Sequence, residues 1–106
     1  MSYRFMRMMV FFDLPTETGE DRRNYCLFRK SLIKSGFIML QESVYCRMIS
    51  SPSVEQSVKN SVNKSKPPKG IVQLLTVTEK QFSKMEYIVG NSTSDVIENT
   101  DRVIVL

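Results

Sequence analysis

Asp13 is the carboxylate that the sequence best places for chemistry. It follows the apolar run Met9-Val10-Phe11-Phe12 directly and precedes Leu14-Pro15-Thr16. That context puts it at the end of a strand, where rigid backbone holds a side chain that opens past the sheet. A carboxylate is costly to leave unpaired beside so much apolar surface. Two readings meet that cost. Asp13 either caps a helix or opens an Asx-type turn, or it holds a hard cation. Mg²⁺ takes one or two carboxylates and keeps several waters, so one Asp per chain, doubled across a two-fold axis, suffices. Such an ion activates water against a phosphodiester or holds a phosphate. Other carboxylates are weaker candidates. Glu17, Glu20 and Asp21 stand at a helix start, Glu42 could approach the same end of the sheet, and Glu79 also opens a helical turn.

Composition narrows the chemistry further. The 106 residues include no histidine and two cysteines. Without histidine there is no Ser-His-Asp or Cys-His machinery and no imidazole ligand. Cys26 and Cys46 are too far apart for a CxxC pair and too few for a structural zinc site. Catalysis, if present, falls to carboxylates with a borrowed hard metal.

The second set of chemically informative residues is basic. Lys+Arg number 15 against 11 Asp+Glu, a net charge of +4 that favours an anionic partner, nucleic acid first. Arg23, Lys30 and Lys34 recur at i, i+7 and i+11, with Arg22 and Arg29 on a neighbouring helical line. Lys64, Lys66 and Lys69 follow in a loop, and Arg4, Arg7 and Arg47 lie near the strands. Such a spread contacts phosphates without reading sequence; the plain alternative is a solvated helix face. No helix-turn-helix, zinc finger or aromatic ribonucleoprotein strand is present. The clustered methionines read as core filler.

The elements that must carry these residues follow from periodicity. A strand from about Tyr3 to Phe12 is apolar on both faces, broken by Arg7, and Pro15 ends it. Thr18 is a helix N-cap with Asp21 completing a capping box. Tyr25, Phe28 and Leu32 form the inward stripe, flanked by Cys26 and Ile33, and Gly36 is the stop. Phe37–Met39 and a segment around Val44–Ile49 read as strands, or as one bent strand interrupted near Gln41-Glu42-Ser43. Ser51-Pro52 starts a second helix that runs to about Asn63, with Val54, Val58 and Val62 inward. After a basic loop to Gly70, Ile71–Thr78 is a strand, Glu79–Lys84 a helical turn and Met85–Val89 a further short strand. Gly90–Thr100 is a loop, and Val103, Ile104, Val105 and Leu106 close the chain as a strand.

This order predicts an α+β, ferredoxin-like (split βαβ) domain: an antiparallel sheet with two helices on one face. A single domain spans 1–106, with about 90–106 forming a loop and an extra C-terminal strand. Two helices leave one sheet face bare, although the first strand is apolar on both. A homodimer resolves the mismatch, with Val103–Leu106 docking on a neighbouring subunit. No apolar run approaches the roughly 20 residues that span a bilayer, and Met1–Val10 lacks a signal-peptide core. The expected location is cytoplasmic, and two cysteines suit that reducing compartment.

With these elements assigned, the sequence resembles a known family: the small CRISPR-associated adaptation protein, or "Cas-two" family, in a type II-A-like form. The likeness rests on Met1-Ser2-Tyr3-Arg4-Phe5-Met6-Arg7-Met8, Phe12-Asp13-Leu14-Pro15-Thr16, Phe28-Arg29-Lys30, Gly36-Phe37-Ile38-Met39, Ser43-Val44-Tyr45 and Leu75-Thr76-Val77-Thr78-Glu79-Lys80-Gln81-Phe82. The resemblance implies a ferredoxin-like homodimer that joins two dimers of a partner integrase, "Cas-one", in the complex that captures foreign DNA and inserts it into the CRISPR array. It implies phosphate contacts to double-stranded DNA through basic side chains, here expected of Arg22, Arg23, Lys30 and Lys34, then of Arg4, Arg7, Lys66 and Lys69. It also implies, as an alternative, a Mg²⁺-dependent endonuclease of RNA or duplex DNA whose metal and catalytic residue map here onto Asp13.

Overall fold

In the computed structural model, residues 5–90 are described. The chain runs β1 (Met6–Asp13), α1 (Gly19–Lys34), β2 (Ile38–Gln41), β3 (Val44–Ile49), α2 (Pro52–Lys64), β4 (Ile71–Thr78) and α3 (Glu79–Ser83). The strands form one antiparallel sheet in the order β2-β3-β1-β4. β3 is inserted between β1 and β2, which makes β1-α1-β2 the split unit expected of a ferredoxin-like fold.

β1 is central because both of its faces are apolar. Met8, Val10 and Phe12 point to the helices and are at most 5% exposed. They meet Phe28 and Leu32 of α1, Val58 and Val62 of α2, and Tyr45 and Ile49 of β3. Each such side chain contributes about 1.5–3 kcal/mol by leaving water. The Phe12 ring sits edge-on to Tyr25 and Phe28, at centroid distances of 5.8 and 5.3 Å.

Local chemistry sets the helix ends. The Thr18 hydroxyl accepts from the Asp21 N–H at 3.0 Å, and the Thr18 N–H donates to the Asp21 carboxylate at 3.3 Å. Ser51 caps α2 by accepting from the Val54 N–H, with Pro52 in the first turn where its missing donor costs nothing. Gly36 leaves α1 at φ +94°, the left-handed conformation that glycine adopts freely.

Three sequence expectations change. β2 and β3 are two strands of a hairpin turning at Glu42-Ser43, with a register shift between Met39 and Gln41, not one bent strand. Phe37 precedes β2 and is buried in the core. Residues 85–90 form no strand: they follow α3 across the sheet's open face, where Met85, Tyr87 and Val89 line a groove with Met9, Phe11 and Val44. The expected strand Val103–Leu106 lies outside the described residues. Among the described residues, no helix is long and apolar enough to cross a membrane.

The face opposite α1 and α2 stays apolar. Ile38, Met48, Ile71 and Leu75 are 46–60% exposed in the single chain, and register places Met9 between Cys46 and Leu75 on that side.

Candidate functional site

Asp13 is the last residue of β1 and is exposed, paired in register with Ile71 of β4. Neighbouring backbone fixes its position. Leu14 is buried next to it, and Gly70, at φ +93°, comes so close that a Cβ there would lie 2.6 Å from the Asp13 carbonyl oxygen. The basic loop between α2 and β4 therefore presses on the end of β1, and only a residue without a side chain permits it.

A groove of about 440 Å³ opens at this end of the sheet, lined by Asp13, Thr16, Arg22, Tyr25, Glu42 and Ser43 among others. The β2–β3 turn is drawn into it by two hydrogen bonds. The Tyr25 hydroxyl donates to the Glu42 carbonyl at 3.2 Å, and the Phe12 N–H donates to the Ser43 carbonyl at 3.1 Å. Arg22 donates from Nη1 to the carbonyls of Thr16 and Glu17, at 3.1 and 3.0 Å, holding the loop from β1 into α1. Asp13 and Glu42 thus line one groove as oxygen donors, the ligand type a hard cation takes. Among the described residues, no cluster of three or more carboxylates or thiols is arranged to hold a metal.

The basic residues separate into groups. Arg22, Arg23, Arg29, Lys30 and Lys34 are all exposed along α1; the helical repeat sets Arg23, Lys30 and Lys34 opposite its buried Asp21, Phe28 and Leu32, with Arg22 and Arg29 on the flank. Lys66 and Lys69 are exposed in the loop before β4; the Lys69 ammonium stands 3.8 Å from the buried Asp21 carboxylate and ties that loop to α1. Arg7 lies on the open sheet face, away from the α1 stripe. Its guanidinium donates to both carboxylate oxygens of Glu79, at 2.8 and 3.0 Å, and stacks 4.3 Å from the Phe82 ring centroid. Arg7 holds the Glu79 carboxyl below its usual range, and the same hydrogen bond raises the Arg7 pKa. Arg4 lies outside the described residues.

Glu79 is the residue that sequence reasoning gave only a helix-start role. Its signal was the lone charge of Arg7 inside an apolar strand. The pairing of Arg7 with Val77 brings the start of α3 beside it, but that register emerges only with the fold.

Comparison with known proteins adds a third line of observation. The family model described as CRISPR associated protein Cas2 matches residues 6–85. A CRISPR-associated endoribonuclease Cas2 from Treponema denticola is 52% identical over 101 residues, covering 95% of this chain and 100% of the relative. Its namesake from Lacticaseibacillus rhamnosus is 43% identical with the same coverage. One from Streptococcus mutans is 41% identical, over 95% of this chain and 93% of its own.

Proposed function

Because the chain belongs to the CRISPR-associated Cas2 family, we propose that it is the DNA-binding structural subunit of the spacer-acquisition complex. In this reading a homodimer bridges two dimers of the partner integrase, "Cas-one", in the cytoplasm and holds captured duplex DNA by its phosphates. The observation that carries the reading is the division of surface between the two sides of the sheet. α1 turns five cations outward, Arg22, Arg23, Arg29, Lys30 and Lys34, which suits a polyanion read without regard to sequence. The opposite face offers Ile38, Met48 and Leu75 to a second copy, and a self-complementary apolar face favours a two-fold dimer.

A second reading is favoured by the name its relatives carry, endoribonuclease, and by the shared groove of Asp13 and Glu42. Here Asp13, contributed by both subunits, would hold Mg²⁺, with Glu42 lining the same groove. The ion, when bound, supplies an activated water for phosphodiester hydrolysis. The chain's own part is to hold the Asp13 carboxylate on fixed backbone, through Leu14 and Gly70, and to keep the Glu42 turn in place through Tyr25.

Titrating assembly of the two-protein complex on duplex DNA tests the first reading. Charge reversal at Arg23 and Lys30 is expected to weaken duplex binding by about tenfold or more near 0.1 M salt and to flatten its salt dependence. Unchanged binding at low and high salt would remove that reading.

A further inference from the structure

At the far end of α1 from Asp13, the fold assembles a second basic site from three elements. Lys34 comes from the last turn of α1, Lys64 from the last turn of α2, and Arg47 from β3. They line one open groove of about 550 Å³ between the helices, together with Ser31, Ser57 and Ser61. No carboxylate lines it. α1 has 16 residues, so the groove stands about 24 Å along its axis from the helix start beside Asp13.

A plainer role for these cations is to offset the helix dipoles. Two helix C-termini meet here, and each carries about half a negative charge. Three full positive charges exceed that by about two. Arg47 itself and Ser65 already serve carbonyls at the two helix ends, which leaves the two lysines without that task. Arg47 donates from Nη1 to the Ser35 carbonyl at 2.6 Å, and the Ser65 hydroxyl donates to Ser61 and Val62 carbonyls at 3.1 and 3.3 Å. The ammonium groups of Lys34 and Lys64 form no ion pair among the described residues. A second bond from Arg47 Nε to the Met48 carbonyl, at 3.2 Å, fixes the guanidinium, so part of the charge is preorganised. The Ser35 and Ser61 hydroxyls bond to each other across the helices at 3.0 Å, holding the groove's width.

Resting on the nucleic-acid reading above, we infer that this groove binds backbone phosphates of a nucleic acid, as a second contact distinct from the Asp13 end. Lys34, Lys64 and Arg47 supply the charge, and the hydroxyls of Ser31 and Ser57 supply neutral donors. The choice of a phosphate backbone over an acidic peptide follows from the lining. Val58 is its one apolar residue, whereas a peptide gains affinity from apolar anchors in pockets. Phosphate contact needs cations and hydroxyl donors alone. Arg47 and Lys64 join a groove with Lys34 only because α1 and α2 pack side by side on the sheet.

The test is duplex binding by the full chain, followed by fluorescence anisotropy with two labelled duplexes of unrelated sequence over a salt series. Lys34→Gln with Lys64→Gln is expected to weaken both duplexes about tenfold or more near 0.1 M salt and to lower the salt slope by about two. Both lysines are exposed, so thermal unfolding should be nearly unchanged. Ser57→Asp, which adds an opposing charge without touching a helix end, is expected to weaken binding as well. If neither variant alters affinity or slope while Arg23→Gln with Lys30→Gln does, the groove is not a phosphate site and the wider reading stands. If all of these variants bind as the parent does, both fail. A poly-glutamate peptide whose binding depends on Lys34 and Lys64, with duplex binding intact, assigns the groove to acidic protein and overturns the inference.

Discussion

The Asp13 carbonyl oxygen and the α-carbon of Gly70 are packed so closely that no side chain fits between them. A Cβ at Gly70 would lie 2.6 Å from that oxygen and 2.7 Å from Leu14 Cδ2. Since φ at Gly70 is +93°, any other residue there also meets backbone strain. Gly70→Ala is therefore expected to cost about 1–3 kcal/mol, lowering the unfolding temperature by several degrees in a domain of this size. Thermal unfolding by circular dichroism checks this; an unchanged midpoint would show that the loop does not press on β1.

The Arg7–Glu79 pair makes stability depend on acid. Arg7 depresses the Glu79 carboxyl below its ordinary value of 4.5. The folded state therefore binds a proton less readily than the unfolded one. The pair's contribution is fully present above about pH 4.5 and is lost as pH falls through the lower folded value. Glu79 is 40% exposed, so solvent screening limits the effect to less than about 1 kcal/mol. Glu79→Gln should be slightly less stable than the parent near neutral pH, and the difference should shrink toward zero below the folded pKa. Urea midpoints measured across that range give the comparison; a difference that grows in acid would contradict it.

The open sheet face yields a prediction about assembly. Leu75 and Met48 are 51% and 46% exposed on it. Leu75→Glu should leave a folded chain, because the residue is exposed, but should convert a dimer to a monomer by placing an unpaired charge in the contact. Sedimentation velocity of the full chain distinguishes the two. A variant that remains dimeric would mean that the copies meet elsewhere.

The sequence is legible where the physics is local. The Thr18–Asp21 capping box, the Ser51-Pro52 start and the Gly36 stop depend on neighbours within a few residues, and each is found as hydrogen bonds or dihedrals. The two-faced apolar character of β1 gave its central place. What failed depends on distant pairing. Met85–Val89 has strand-like composition, yet it forms no strand and lines a groove with Met9, Phe11 and Val44. The partnership of Arg7 with Glu79 spans 72 residues, and the gathering of Lys34, Arg47 and Lys64 requires three elements already packed. At the Asp13 site, the residue itself and the approach of Glu42 to the same end of the sheet are legible in the sequence. The Gly70 contact needed the fold, since a glycine after a Pro-Pro-Lys loop reads only as a turn.

The most direct test of the structural role is Asp13→Asn in the purified complex with the partner integrase. Integration of a short duplex and Mg²⁺-dependent RNA cleavage should be measured side by side on protein shown to assemble. Asp13 is exposed, and of the outward cations of α1 it shares its groove with Arg22 while Arg23, Arg29, Lys30 and Lys34 do not line that groove, so the substitution should spare assembly, duplex binding and integration to within a few-fold. Any metal-dependent cleavage should fall by about a hundredfold or more, the scale of losing a metal-held nucleophile. Loss of integration together with cleavage, in a complex that still assembles on DNA, would contradict the proposal that this chain acts as a charged bridge.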